Sequence, residues 1–141
     1  MVASVPVDIE ITAPATRAAL LSSLARIGQI AAAENLPADT LARVLVVAEE
    51  LVLNTITHGY GGECGRPVRI NLTAAPVLTL VYEDDAPPFD PVLWRRRRAA
   101  DSPPALREGQ AGLDLLFGLA SDVRWRPREA GNRLIVTFTP R

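Results

Sequence analysis

Residues 41–60, LARVLVVAEELVLNTITHGY, carry apolar side chains at nearly every position of a helical stretch except where Glu50 and Asn54 stand four residues apart. Positions i and i+4 stack on one face of an α-helix, so a carboxylate and a carboxamide share one ridge. Leu41, Val44, Leu45, Ala48, Val52 and Ile56 form the core-facing stripe of an amphipathic helix. Val46, Val47, Leu51 and Leu53 imply that much of the remaining surface is covered too. An unpartnered buried carboxylate is costly, so the ridge either joins a buried polar network or lines a site. The pair suits a hard cation and proton abstraction; the bland alternative is a solvated Glu and a structural Asn. Glu49 points about 100° away around the helix and is expected to be structural or on the surface.

Working outward, residues 5–12 (VPVDIEIT) alternate as a half-buried strand does. Pro14 and Thr16 open a helix to about Leu36, with Ala18, Leu21, Leu24, Ala25 and Ile30 as its apolar stripe. Pro37, Ala38 and Asp39 break it and cap the second helix, which ends at Gly59 as TITHGYGG turns into a loop. Cys64 falls in that loop. PVRINLTA (67–74) and VLTLVYE (77–83) read as strands joined by an Ala75-Pro76 turn. After DDAPPFDP, the stretch WRRRRAADSPPALREG is rich in Arg and Pro and is expected to be the mobile segment. Gly112 to Ala120 forms a short helix, and DVRWRPR (122–128) with RLIVTFT (133–139) a hairpin around Ala130-Gly131-Asn132. The order β α α β β, loop, α β β predicts an α+β domain: a two-layer α/β sandwich with helices on one face of a mostly antiparallel, mixed sheet.

The 141 residues suit one domain. All 15 basic residues are Arg and none is Lys, which excludes a P-loop lysine, a Schiff-base lysine and the strand lysine of eukaryotic-type kinases. One Cys and one His exclude an intramolecular disulfide and argue against a Cys/His zinc site built by this chain alone. The first residues have neither a basic n-region nor a long apolar core, and no segment reaches membrane-spanning length. The chain is therefore expected to be cytoplasmic and off the membrane. A net charge of minus one without interleaved stacking aromatics argues against direct nucleic-acid binding.

EELVLNTITHGY, DDAPPFDP at a strand end, and the glycine-bearing GQAGLDLL opening a helix occur in the order and spacing of three ATP-site boxes. Together they resemble the GHKL (Bergerat-fold, histidine-kinase-like) ATPases, and in particular the anti-sigma-factor serine kinases of bacterial partner-switching systems. The resemblance runs from about Asp8 to Thr139. It implies a mobile ATP lid at about 95–111 and ATP with Mg2+ as cofactors. It further implies an anti-sigma regulatory factor with serine/threonine-protein kinase activity toward a STAS-domain anti-anti-sigma protein. A sigma factor as second partner and a homodimer are implied as well. The alternative is an ATP-binding module, weak or inactive in catalysis, that regulates by association only.

Residue by residue, the resemblance implies that Asn54 binds the Mg2+ on the triphosphate and that Glu50 is the general base toward a protein serine. Asp84 would accept a hydrogen bond from the adenine amino group, with Asp85 its exposed neighbour. His58 continues the ridge toward the nucleotide, or simply sits at a helix C-terminus where the macrodipole favours it. Ala86 stands where the family carries Gly, so backbone strain or a looser pocket is expected there. Pro87, Pro88, Phe89, Asp90 and Pro91 follow the pattern; Phe89 joins the pocket or plugs the core. Gly109 and Gly112 would present helix N-terminal amides to phosphate, with Leu113 beside them. Gln110 replaces a glycine, and Asp114 adds a negative charge near the triphosphate. Arg95 to Arg98 form a phosphate clamp, a dock for an acidic partner, or a solvated basic face. Trp94 and Trp125 read as core or interface anchors.

Overall fold

In the computed structural model, which describes residues 8–74, 76–100 and 110–140, the period-two segments become five strands of one sheet. They are β1 (Asp8–Ala15), β2 (Cys64–Thr73), β3 (Leu78–Asp84), β4 (Asp122–Arg128) and β5 (Gly131–Phe138), in spatial order β1-β2-β3-β5-β4. Every neighbouring pair is antiparallel, so the expected antiparallel character is complete among the described residues. Alternate residues of the three inner strands, Val68, Ile70 and Leu72, Leu78, Leu80 and Tyr82, and Leu134, Val136 and Phe138, are buried in one core. The helical layer over them consists of α1 (Arg17–Ala33), α2 (Ala38–Asn54) and α4 (Gln110–Leu119), with α2 packed against both α1 and α4. The chain is thus the expected α+β sandwich.

Helix α1 starts after Thr16, whose Oγ1 accepts a bond from the Ala19 amide, 3.1 Å, whereas Pro14, expected to open the helix with it, belongs to β1. Its buried face is not the expected one. Leu20, Ser23, Ile27 and Ala31 point inward, whereas Leu21 is 69% exposed. Apolar residues lie on almost every side of this Ala-rich helix, so two phases fit the pattern and the seat on β1 selects one. Helix α2 begins after Pro37 without a side-chain cap, and Asp39 sits inside the first turn, where it favours the helix dipole. Its last turn, Thr55–Gly59, is π-helical, closed by the Tyr60 amide on the Thr55 carbonyl at 2.7 Å. Such turns are rare and frequent at functional sites.

Two further expectations change. Cys64 is the first residue of β2, opposite Ala15, and not a loop thiol. The Arg-rich stretch is in part a helix, α3 (Pro91–Ala100). Asp90 Oδ1 accepts from the amides of Val92 and Leu93, at 2.9 and 3.2 Å, and Pro91 occupies the first turn, where a missing N–H costs nothing. Of the expected mobile segment 95–111, residues 95–100 are therefore helical, 110 and 111 open α4, and 101–109 lie outside the described residues. Arg43, on which the sequence reading is silent, is 4% exposed in α2 although it is charged. Its guanidinium donates to the carbonyls of Leu119 and Thr139 at 3.0 and 2.9 Å, which ties the end of α4 to the end of β5.

Candidate functional site

A cavity of about 490 Å³ opens between α2 with its π-helical turn, the ends of β3 and β5, the 86–89 loop and the start of α4. Its wall contains Asn54, His58, Asp84, Ala86, Phe89 and Leu113 from the sequence-derived set. Leu51, Thr55, Gly59, Tyr82, Trp94, Asn132 and Leu134 join them. The described members of the candidate set thus converge, apart from Glu50 and Gly112, which lie outside this wall. Gly109 lies outside the described residues.

Asp84, the last residue of β3, is only 6% exposed and stands opposite Asn132 of β5 in the ladder. Its Oδ1 accepts from Asn132 Nδ2 at 2.9 Å and from the Ala86 amide at 3.2 Å. Its Oδ2 accepts from Thr55 Oγ1 at 2.8 Å. Thr55 Oγ1 also lies 3.1 Å from the Leu51 carbonyl and 2.6 Å from Tyr82 Oη, so its one proton is shared between Asp84 and Leu51 while the Tyr82 hydroxyl donates to it. Burial holds the Tyr82 hydroxyl well above its ordinary pKa, against the opposing pull of the Thr55 bond. Tyr82 therefore stays a neutral donor. Among the described residues no buried side-chain nitrogen or oxygen lacks a partner, the condition under which a buried polar network rigidifies a site.

Asn132 ties this network to the adjoining loop. Its amide nitrogen also reaches the carbonyls of Ala86 and Pro87 at 3.3 and 3.2 Å, and its Oδ1 accepts from the Phe89 amide at 2.8 Å and Trp125 Nε1 at 2.9 Å. The sequence reading places Asn132 in a turn and so passes it over. The signal was there: counting inward by twos from Phe138 through Leu134 lands on 132. Thr55 and Tyr82 were missed because a hydroxyl flanking a stronger motif has no signature of its own. Trp94 was missed together with α3, whose Asp90-Pro91 start is a readable helix signal.

Ala86 does not carry the expected strain. Among the described non-glycine residues only Asn35 has positive φ, and Ala86, 2% exposed, packs its methyl toward Gly59. A Cβ at Gly59 would come within 2.9 Å of that methyl, so the small residue needed at this contact stands across the pocket. Gly131 is required for another reason: at φ 149° any side chain there would run into the Asp84 carbonyl. Phe89 is 44% exposed at the cavity rim and does not plug the core.

Asp85 is not the exposed neighbour the sequence suggests. It is half-buried, 2.9 Å from Arg128 and 3.2 Å from Arg69. Desolvation acts to raise its pKa, but the arginine bonds outweigh that and hold the carboxyl below its ordinary range. Of the arginine run, Arg95 stacks over the Phe117 ring at 4.6 Å, while Arg96 and Arg97 are exposed on α3, and none of these three lines the cavity. Glu49 is exposed, as expected. Glu50 is half-buried one turn before Asn54, beside Gly112 of α4. Burial, and secondarily the charge of Glu49, raises its carboxyl above the ordinary 4.5.

The profile of the histidine kinase-like ATPase domain matches residues 13–138. No match is found among curated proteins. Among solved structures, the chain is similar to the RsbU and RsbW domains of Rv1364c from Mycobacterium tuberculosis, with 19% identity and a TM-score of 0.63 over 94% of this chain. It spans about a third of that longer chain, 31%. That likeness shows the fold, while the profile covers nearly the whole sequence. The chain belongs to the histidine kinase-like (GHKL) ATPase domain family.

Proposed function

We propose that this chain is an anti-sigma regulatory factor that transfers the γ-phosphoryl group of ATP to a serine or threonine of a STAS-domain anti-anti-sigma protein. The observation that carries the reading is the convergence of Asn54, His58 and Asp84 on one cavity, with Glu50 one helical turn before Asn54. Likeness to a structure containing an RsbW domain supports the choice of branch. A sigma factor as second partner and a homodimer belong to the same proposal.

Each residue has a role its surroundings allow. Asp84, held by Thr55, Asn132 and the Ala86 amide, keeps acceptor capacity for the amino group of adenine; a carbonyl at that position would meet a second acceptor. Phe89, Trp94, Leu113 and Leu134 supply apolar walls for the base. The amides opening α4, with Gly109 before them, face phosphate oxygens, and His58 adds a donor on that side. Among the described residues no cluster of three His, Cys, Asp or Glu could cage a metal. Asn54 is the side chain that would hold Mg2+, in the manner of a cation that keeps waters and phosphates in its shell and neutralises their charge. Glu50 accepts the hydroxyl proton as the bond from serine oxygen to the γ-phosphorus forms and the bond to the β-bridging oxygen breaks, releasing ADP.

One observation favours a second reading, an ATP-binding module that acts by association alone: Glu50 lies outside the cavity wall, against α4. Incubation with Mg-ATP and candidate STAS partners, read by intact mass, separates the two. A phosphoserine or phosphothreonine on the partner supports the kinase. A Mg-ATP-dependent rise in melting temperature with no transfer to any cognate partner replaces the kinase with the module.

A further inference from the structure

We infer that Gly112 is a positioning residue for Glu50: the side chain it lacks leaves the space that the Glu50 carboxylate occupies. The inference rests on the reading of Glu50 as the general base and extends it to α4. A Cβ placed at Gly112 has three nearest neighbours, and all are Glu50 atoms: Oε2 in collision, Cδ at 3.4 Å and Cβ at 3.9 Å. Glycine weakens a helix interior relative to alanine, so its place as the third residue of α4 calls for a reason. Gly118 of the same helix provides the contrast, since a Cβ there would meet nothing within 4 Å.

The colliding atom is the far end of a flexible side chain. A methyl group at position 112 therefore swings the carboxylate away and leaves the helix in place, because rotating Glu50 costs little beside moving α4 off the Leu113 and Leu116 core contacts. In the wild-type arrangement the half-buried carboxylate lies against α4 at Gly112, in keeping with the raised protonation range of Glu50. The glycine thus fixes where the base points and how strongly it holds its proton.

The test compares Gly112→Ala with Gly118→Ala, Glu50→Asp and the Gly112→Ala/Glu50→Asp double variant, each folded as judged by melting. The 13C carboxyl resonance of Glu50, assigned by its loss in Glu50→Gln, is titrated first. The expected result is a raised pKa in wild type and Gly118→Ala, and a return to the ordinary glutamate range in Gly112→Ala. An unchanged Glu50 titration in Gly112→Ala overturns the inference, and this arm holds even if no partner is ever phosphorylated. With a competent STAS substrate, single-turnover transfer should fall at least about tenfold in Gly112→Ala, with Mg-ATP affinity within a few-fold of wild type. Glu50→Asp, one methylene shorter, should cost less in the Gly112→Ala background than alone. A loss of nucleotide affinity matching the loss of transfer, or strictly additive effects, would show that Gly112 serves phosphate only.

Discussion

The two ends of the cavity are built differently. At the Asp84 end the acceptors are buried and held by Thr55, Asn132 and backbone amides before any ligand arrives. At the Asn54 end the side chains are half-exposed or exposed, and among the described residues no side-chain hydrogen bond holds Asn54 or His58. The first end spends folding energy on a fixed hydrogen-bonding pattern and is suited to recognise a base. The second leaves its donors and acceptors unengaged and is suited to receive charge that the protein alone does not balance.

The largest effects should come from the open end. Glu50→Gln is expected to cut single-turnover phosphoryl transfer by about 10²-fold or more, the scale for loss of a general base, with Mg-ATP affinity kept within a few-fold. Asn54→Ala should lose both transfer and affinity. Wild-type transfer by Glu50→Gln would remove that residue from the chemistry.

At the closed end the same degree of surgery should act on binding and on the fold. Asp84→Asn is expected to weaken ATP by about 10- to 100-fold, the equivalent of about 1.4–2.8 kcal/mol, as read by calorimetry. Asn132→Ala leaves Trp125 Nε1, the Phe89 amide and part of the Asp84 carboxylate without partners. It should lower unfolding free energy by about 2–4 kcal/mol in denaturant titration. An Asn132→Ala protein as stable as wild type would mean that the closed end is not locked.

A pH series sharpens the contrast. The Glu50 carboxyl titrates above 4.5 in the folded protein, so between that value and its raised one the native state binds more protons than the unfolded chain. By linkage, this group makes stability fall as pH rises through that window, and transfer fall as pH drops through it. Glu50→Gln should remove its part of the stability slope. Asp85 acts oppositely: its lowered carboxyl contributes stability above about 3.8, the ordinary value, which is lost as pH falls through the depressed one. The smallest effect belongs to neither end. Leu21→Gln on the exposed side of α1 should change stability by less than about 0.5 kcal/mol, whereas Ile27→Ala on the buried side should cost about 2–4 kcal/mol. Equal costs would mean that α1 sits in the other phase.

Legibility of the sequence followed the strength of local pattern. The period-two strands, the Thr16 cap and the Glu50-Asn54 ridge are short-range features; the cap and the ridge lie where the residues place them, and the strands form with shifted ends, β1 running on past Thr12 to Ala15 and β2 starting at Cys64. Helix α3 was hidden because four arginines and nearby prolines imitate a loop, while the Asp90 cap and the Arg95–Phe117 stacking that steady it are hydrogen-bonding and tertiary details. Asn132 was hidden by a boundary error of two residues at the β4–β5 turn, enough to turn a pocket residue into a loop residue.

The sequence by itself determined the strands, the helices other than α3, the mostly antiparallel character of the sheet and six residues of the pocket wall, because alternation, capping and box spacing are written in neighbouring residues. Tertiary structure alone decided which side of α1 is buried, since an Ala-rich helix has no single apolar face. It also decided that Asp85 joins Arg69 and Arg128 while Asp84 turns inward toward Thr55 and Asn132, because successive strand residues face opposite sides of a sheet. It placed Glu50 against Gly112, residues 62 apart in sequence. Contacts between distant segments depend on register and packing, and no local pattern encodes them.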